Sequence, residues 1–186
     1  MKLPFKINLE NKVCVVTGAG GVICSHLARA LAQCGAKVAL LDLNKDSAEV
    51  FAKEIREEGG IAYAYEANVL KKDSLEACHR EILKDLGKCD ILINGAGGNN
   101  PRATTDNEYA ELDDEVKGIK TFFDLDEAGF EFAYKLNFNG TLLPTQVLAC
   151  DTVGRQDCSI MNISSMNAFT PLTKIPAYSG AKAAIS

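Results

Sequence analysis

The sequence predicts an α/β fold: one parallel, doubly wound sheet with helices on both faces, incomplete at its C-terminal end. Three observations carry this. Short apolar runs alternate with helical patterns along most of the chain, glycines stand at the joints, and the strand candidates are apolar at successive positions. Strands of that kind are buried on both faces, as in a parallel sheet between two helical layers. With 186 residues, 47% of them hydrophobic, there is material for one sizeable core. The chain is therefore read as a single domain, 1–186, with a polar insert at about 98–126.

Lys12–Thr17 is a β-branched run that ends at Gly18. A helical pattern follows from Val22 to Cys34, with Leu27, Ala28, Leu31 and Ala32 at helix spacing and Gly35 as its stop. Ala36–Leu41 is a second apolar run, closed by Asp42, and Asp46–Glu58 is a charged amphipathic helix stopped by Gly59 and Gly60. Ile61–Glu66 reads as the third strand, Lys72–Leu86 as the third helix, and Cys89–Asn94 as the fourth strand. Right-handed crossovers join these units into a Rossmann-type sheet. The stretch from Asn99 to about Asp126 breaks the rhythm. It is polar and acidic, with Pro101 and Gly118 as breakers, and connections this long are usually functional lids or disordered. Glu127–Val153 then reads as one long helix kinked at Pro144, Ser159–Ser165 as a fifth strand, and Ala177 onward as a further helix.

Composition removes several classes of function. Asp and Glu number 25 against 20 Lys and Arg, a formal charge of −5, and nothing in that balance offsets phosphate repulsion. No nucleic-acid or membrane partner is expected. No run approaches the roughly 18 apolar residues of a membrane span, and Met1–Asn8 lacks the apolar stretch of a signal peptide. The seven cysteines form no C-x-x-C pair, only His26 and His79 could assist a metal, and no metal site is expected. Several cysteines lie inside apolar runs, where a reduced thiol behaves as a small hydrophobe, so a reducing cytoplasm is the simplest location.

Thr17-Gly18-Ala19-Gly20-Gly21 joins a strand to a helix, which is where a βα unit binds pyrophosphate. Glycines let the backbone approach the phosphates, and the helix start offers N–H groups and a positive dipole end. Alone this is a weak signal, shared with plain tight turns. Asp42 strengthens it: a carboxylate ending the second strand, 24 residues after Gly18, can accept from both adenosine ribose hydroxyls and repels a 2′-phosphate. Lys45 is the nearest cation and no Arg lies beside Asp42, so NAD is favoured over NADP. Tyr178 and Lys182 stand four apart, on one face of a helix. A phenol is a poor acid or base at neutral pH, and a neighbouring ammonium favours its phenolate. Ser165 stands thirteen residues earlier, and Asn137 lies in the long helix.

In these residues the sequence resembles the short-chain dehydrogenase/reductase family, from about Lys12 to the last residue. Thr17-Gly18, Asp42, Asn68-Val69, Asn94-Gly95-Ala96-Gly97, Asn137, Ser165, Tyr178 and Lys182 occur in the family's order. The resemblance implies that Tyr178 donates and accepts the proton at the substrate oxygen. Lys182 would bind the nicotinamide ribose and favour the phenolate, Ser165 would bond the substrate carbonyl, and Asn137 would hold a water leading protons to Lys182. It also implies that Thr17, Gly18, Gly20, Gly21, Val22 and Ile23, Asp42, Asn68 and Val69, and Asn94 to Gly97 contact the cofactor together with Tyr178 and Lys182. Hydride would pass between nicotinamide C4 and the substrate carbon. The chain departs from the family at Val22 and Cys24, where glycines are usual, at Asn68, where the family has Asp, and at Gly95, where Asn is more frequent. Gly20-Gly21 offers alternative flexibility, and Cys24 is read as core.

Within the family the chain is similar to a subgroup known as D-mannonate oxidoreductases (fructuronate reductases). It shares the Gly-Gly-Val cofactor loop, the insert after Asn94, Thr121–Asp126, and the stretch from Ser165 to Tyr178. This implies a small keto or hydroxy sugar acid as substrate, interconverted between ketone and secondary alcohol. Such a substrate needs a cation and several hydrogen-bonding groups, for which Arg102, Lys174, Asn99, Asn100 and Asn167 are the candidates, with Arg102 able to grip a carboxylate through two N–H groups. Family members continue past the Tyr–Lys helix with two more strands, so the chain is expected to be C-terminally truncated, and marginally folded or inactive by itself. The full-length protein is expected to form homo-oligomers through the helices bearing Asn137 and Lys182. Two other readings stay open: an NAD-binding non-enzyme or fragment, and a sugar-nucleotide epimerase or dehydratase, which also uses Tyr-x-x-x-Lys.

Overall fold

A computed structural model describes residues 7–186; the first six residues of the N-terminal stretch 1–8 lie outside the described residues. The chain gathers into two compact units, one of residues up to 96 with 141–163, the other of residues 97–140 with 164–186.

The first unit is built on five parallel strands, β1 (Val13–Thr17), β2 (Lys37–Asp42), β3 (Ile61–Glu66), β4 (Ile91–Asn94) and β5 (Ser159–Asn162). Their order is β3-β2-β1-β4-β5, the doubly wound order expected from the alternation of strands and helices. Three helices connect the first four strands: α1 (Val22–Gln33), α2 (Lys45–Glu57) and α3 (Lys72–Asp85). The first four strands and these three helices each lie within two residues of their sequence-read bounds. Asn44 caps α2 by accepting from Ser47 N, with Asp46 in the first turn and Arg56 in the last, complementing the helix dipole.

The period of two along each strand sends alternate side chains to opposite faces, and both faces are covered. Val13, Val15, Ala39, Leu41 and Leu92 pack with Leu75, Cys78 and Ile82 of α3 and with Val147 and Leu148. Cys14, Val16, Val38, Leu40 and Ile93 pack with Cys24 and Ala28 of α1 and with Ala48, Ala52 and Ile55 of α2. Burial pushes the thiols of Cys14, Cys78 and Cys89 up to about 12, so all three stay protonated and act as packing groups. β5 differs: it pairs with β4 and all four of its residues are exposed.

Register sets the place of the site. Thr17 lies opposite Leu41, and Val16 lies opposite both Leu40 and Ile93, so β1, β2 and β4 finish side by side at their carboxyl ends. Asp90, just before β4, is buried and anchors the other end. Its Oδ2 accepts from Val13 N at 2.8 Å, and its Oδ1 meets Arg155 at 2.5 Å and Lys12 at 3.8 Å.

The second unit holds the insert and two helices. Residues 98–126 are ordered by three short turns, at Pro101–Ala103, α4 (Asp114–Lys117) and Phe122–Asp124. Asp106 N donates to Lys120 O at 2.9 Å and Lys120 N donates to Asp106 Oδ2 at 2.8 Å, clipping the ends of the loop together. Thr121 and Asp124 form a capping box, and Arg102 donates from Nε and from a terminal guanidinium nitrogen to Asp126 Oδ2. A small core of Ala103, Ala133, Ala177 and Phe130 joins the insert to α5 (Glu127–Tyr134) and α7 (Pro176–Ile185).

The single long helix expected over 127–153 is a composite. It runs as α5, a π turn at Lys135–Asn139, α6 (Gly140–Leu148) and a 3-10 turn at Ala149–Thr152. The irregularity is the π turn, one turn before Pro144, and Pro144 itself sits inside α6. The expected fifth strand also ends early, at Asn162, because Ser165 turns the chain into a 3-10 turn at Met166–Ala168. Among the described residues no helix is long and apolar enough to cross a membrane.

Asp90→Ala is expected to lower unfolding free energy by about 1–3 kcal/mol, because it leaves the buried Val13 N–H without its acceptor and takes away the partner of the Arg155 guanidinium; urea unfolding reads this directly. A pH effect is expected in the insert. The Arg102 guanidinium, with Ala128 N–H, holds the Asp126 carboxyl below its usual range, and the Thr121 N–H and then its hydroxyl do the same for Asp124. A carboxyl lowered on folding stabilises above its unfolded pKa and loses that contribution as pH falls through the folded one. Hydrogen exchange across residues 98–126, relative to an unstructured peptide, is therefore expected to quicken below about pH 4. Both groups are exposed, so the change is small, and Asp126→Asn removes its share.

Candidate active site

In the first unit the carboxyl ends of β1, β2 and β4 carry a glycine turn and a carboxylate. Thr17 is fully buried, and its Oγ1 accepts from Gly95 N at 3.1 Å and Ala96 N at 3.2 Å, tying the turn after β1 to the turn after β4. Gly18 takes φ +68°, and a Cβ there would stand 2.9 Å from the Ala96 backbone, so both conformation and space require glycine. Gly21 N closes the turn on Gly18 O, and α1 begins at the next residue. Among the described residues no side chain caps α1, and no acidic residue stands in its first turn, so its positive end suits an anion. Val22 and Ile23, the first residues of α1, are 73% and 67% exposed, so the bulk expected of Val22 points out of the core.

Asp42 ends β2 with both carboxylate oxygens braced by backbone. Oδ2 accepts from Gly20 N and Oδ1 from Asn44 N, each at 2.9 Å. Each oxygen keeps a further lone pair for an outside donor. Asn68, after β3, folds back on its own turn, its Oδ1 accepting from Leu70 N at 2.9 Å, and Val69 beside it is buried. The Asn94 side chain is buried beneath the strand ends, with Nδ2 donating to Thr145 Oγ1 and Asn162 Oδ1 at 2.9 Å each. It braces β4, β5 and α6, and it is Gly95 and Ala96 that continue the turn facing Thr17. A Cβ on Gly95 would collide with Cys24 Sγ. The two departures from the family pattern thus explain each other: Cys24 fills space that Gly95 vacates.

In the second unit Asn137, Ser165, Tyr178 and Lys182 are carried by the π turn, the loop before Met166, and α7. The π turn places Asn137, which is fully buried, where its Nδ2 donates to Ala133 O at 2.7 Å and Gly98 O at 2.8 Å while its Oδ1 accepts from Gly98 N at 3.2 Å. Single π turns inside α-helices recur at functional sites. Lys182 is 5% exposed, and its Nζ lies 5.7 Å from the centroid of the Tyr178 ring. A Cβ on Gly97 would meet Asn137 Oδ1 at 2.6 Å and Lys182 Nζ at 3.4 Å, so Gly97 is the floor on which both converge. Ser165 Oγ accepts from Asn167 N at 3.2 Å. A buried ammonium beside a partly exposed phenol, with a hydroxyl nearby in the chain, can hold and move a proton.

Three of the residues expected to hold a substrate have different surroundings. Arg102 is forked onto Asp126, and the Lys174 carbonyl accepts from Thr105 N at 3.0 Å. Asn167 is buried, and its Oδ1 has no partner among the described residues. Asp126 escaped the sequence reading because nothing in its spacing marks it as the partner of Arg102. One further group was missed: His79, Cys150 and Asp151 bring an imidazole, a thiol and a carboxylate within 4.8 Å of one another, a donor set that could hold a metal ion. Their separation of 72 residues hides it from spacing arguments. In this structure His79 Nε2 pairs directly with Asp151 Oδ2 at 2.9 Å, and that oxygen also accepts from Cys89 N.

The family model described as short chain dehydrogenase matches residues 12–186. The chain belongs to this family. An uncharacterized oxidoreductase of Haemophilus influenzae is 59% identical over 186 residues, covering 100% of this chain and 65% of its own length. Another, UxuB of Bacillus subtilis, is 45% identical over 184 residues, 99% of this chain and 65% of its own. A crystal structure from Haemophilus influenzae, described as a candidate D-mannonate oxidoreductase with bound NAD, superposes with a TM-score of 0.94 at 60% identity, covering 96% of this chain and 64% of that one. The chain thus spans about 65% of the length of these short-chain dehydrogenase relatives.

The Cys24–Gly95 contact gives a test. Gly95→Ala is expected to lower stability by about 1–3 kcal/mol through overpacking. Adding Cys24→Gly, mildly destabilising alone, is expected to return much of that loss. The non-additivity appears as a coupling in a double-mutant cycle of urea unfolding.

Proposed function

We propose that the protein is an NAD(H)-dependent oxidoreductase that interconverts a ketone and a secondary alcohol on a sugar acid such as D-fructuronate and D-mannonate. The observation that carries the reading is the convergence of Lys182 and Asn137 on Gly97, with the Tyr178 ring beside the Lys182 ammonium. The residues of the first unit fit NAD. The start of α1 is open to a pyrophosphate, and the braced Asp42 carboxylate has acceptor capacity for two ribose hydroxyls and disfavours a 2′-phosphate. The bound NAD described for the Haemophilus structure supports this assignment.

When bound, NAD supplies or takes up the hydride. The chain's own residues handle position and protons. In the reduction, Tyr178 gives its phenolic proton to the substrate oxygen as the carbinol forms. The Lys182 ammonium, beside the Tyr178 ring, stabilises the charge left on it. Ser165 orients the carbonyl through its hydroxyl. Asn137, its side chain fully engaged, fixes the backbone on which Lys182 rests. Asn167 and Lys174 supply polar contacts to the sugar acid. We place the enzyme in a reducing cytoplasm, which its cysteines as thiols support, and as a homo-oligomer, which the exposure of Phe132, Tyr134 and Phe138 beside Asn137 supports.

The test is NADH oxidation driven by D-fructuronate in the natural protein that carries this chain. Tyr178→Phe is expected to lower kcat by about 10³-fold with NADH affinity kept. Asp42→Ala is expected to weaken NADH binding by about 10–100-fold, the value of a hydrogen-bonded charge, and to narrow its preference over NADPH. Turnover of a neutral ketone with none of fructuronate would overturn the substrate, and full activity in Tyr178→Phe would overturn the mechanism.

A further inference from the structure

The insert of the second unit walls a cavity of about 360 Å³ lined by Asn99, Pro101, Thr104, Asp106 and Lys120. This is the size of a small-molecule site. The clefts beside Tyr109 and beside His26 hold about 50 Å³ and 20 Å³. Its position is fixed by chain continuity: Asn99 follows Gly98, whose N–H and carbonyl both bond the Asn137 side chain. One lining residue of the cavity therefore stands next in the chain to the glycine that Asn137 clamps.

We propose that this cavity receives the polyol-carboxylate part of the substrate, with Lys120 as the residue that holds the carboxylate; the inference rests on the sugar-acid reading above and names its specificity residue. The argument begins with the available cations. Arg102 is committed to Asp126. Lys120 has no carboxylate within ion-pair distance among the described residues, and its Nζ donates to Pro101 O at 2.5 Å, leaving two N–H donors. The walls also supply acceptors for hydroxyl groups. Asp106 uses Oδ2 on Lys120 N and keeps Oδ1. Asn99 uses Nδ2 on Thr104 Oγ1 at 2.8 Å, Thr104 passes its own proton to Asn100 O, and Asn99 Oδ1 remains. One ammonium, two open acceptors and the apolar face of a proline ring match a chain of hydroxyls ending in a carboxylate. The Asp106–Lys120 pair of bonds, one between backbones and one to the Asp106 carboxylate, with the Lys120 Nζ–Pro101 and Asn99–Thr104 bonds, sets these groups before any ligand arrives, so less order is lost on binding.

The experiment is isothermal titration of D-mannonate into the NAD-loaded natural protein, beside steady-state kinetics with D-fructuronate. Lys120→Met is expected to weaken mannonate binding by about tenfold or more and to raise the fructuronate KM to a similar degree, with kcat nearly unchanged. Lys120→Arg is expected to restore most of both, and NAD affinity and Tm are expected to match wild type in each variant. Equal mannonate affinity in wild type and Lys120→Met, or no mannonate binding at all, overturns the inference. Fructuronate turnover with a KM unmoved by Lys120→Met overturns it alone and leaves the reaction standing. Mannonate binding that depends on Lys120, without fructuronate turnover, overturns the reaction and upholds the site.

Discussion

The arrangement rests on the position of β1. It is the central strand, paired with β2 on one side and β4 on the other, and its five residues are almost fully buried, so it can shift along neither without turning core side chains to the wrong face. Parallel pairing in this register makes three strands finish together. Gly18, Asp42 and Gly95 each follow or close one of those strands, which is why residues far apart in sequence share one rim. The Thr17 hydroxyl then locks two of the turns, with a single buried oxygen accepting from two successive N–H groups. Asp90 performs the matching task at the opposite end of the strands by holding Val13 N–H.

A second constraint organises the residues beyond β4. An asparagine side chain has two donors and an acceptor, and Asn137 uses them on Ala133 and on both backbone groups of Gly98. Asn137 lies within the π turn, where its side chain rather than only the backbone answers the Ala133 carbonyl. The same clamp fixes Gly97, and the absence of a side chain there gives Lys182 its room. Burial of the ammonium and convergence on one glycine are thus two results of one local distortion in a helix.

The sequence was most legible where periodicity and punctuation agree. The first three strands and helices were read to within two residues, because continuous apolar runs and glycine stops point the same way. Tyr178, Lys182, Ser165 and Asn137 were named through the resemblance, and the structure places all four in the second unit, with Asn137 and Lys182 converging on Gly97. The π turn was not legible: Pro144 is the visible breaker in that helix, and the true break lies in residues 135–139, whose sequence contains no helix breaker. The end of β5 was also misjudged, because Ile163 extends the apolar run while Ser165 has already begun a turn. The Arg102–Asp126, Arg155–Asp90 and His79–Asp151 pairs escaped for a common reason. Long-range pairing of charged groups leaves no period in the sequence.

That blindness bears most on specificity. By residue type alone Arg102 was the natural candidate for a carboxylate, because a guanidinium offers two parallel donors to it. The fold gives those donors to Asp126 at the head of α5, where they help cap the entry to the helix that carries Asn137. A cation paired with Asp126 reaches a ligand only by giving up that pair. Lys120 is the weaker candidate on chemistry and the stronger one on circumstance: it is held by two bonds to Asp106, one between backbones and one to the carboxylate, it lines a cavity of suitable size, and it retains donors. Which charge serves the substrate is therefore decided by which charge the insert does not need for its own folding.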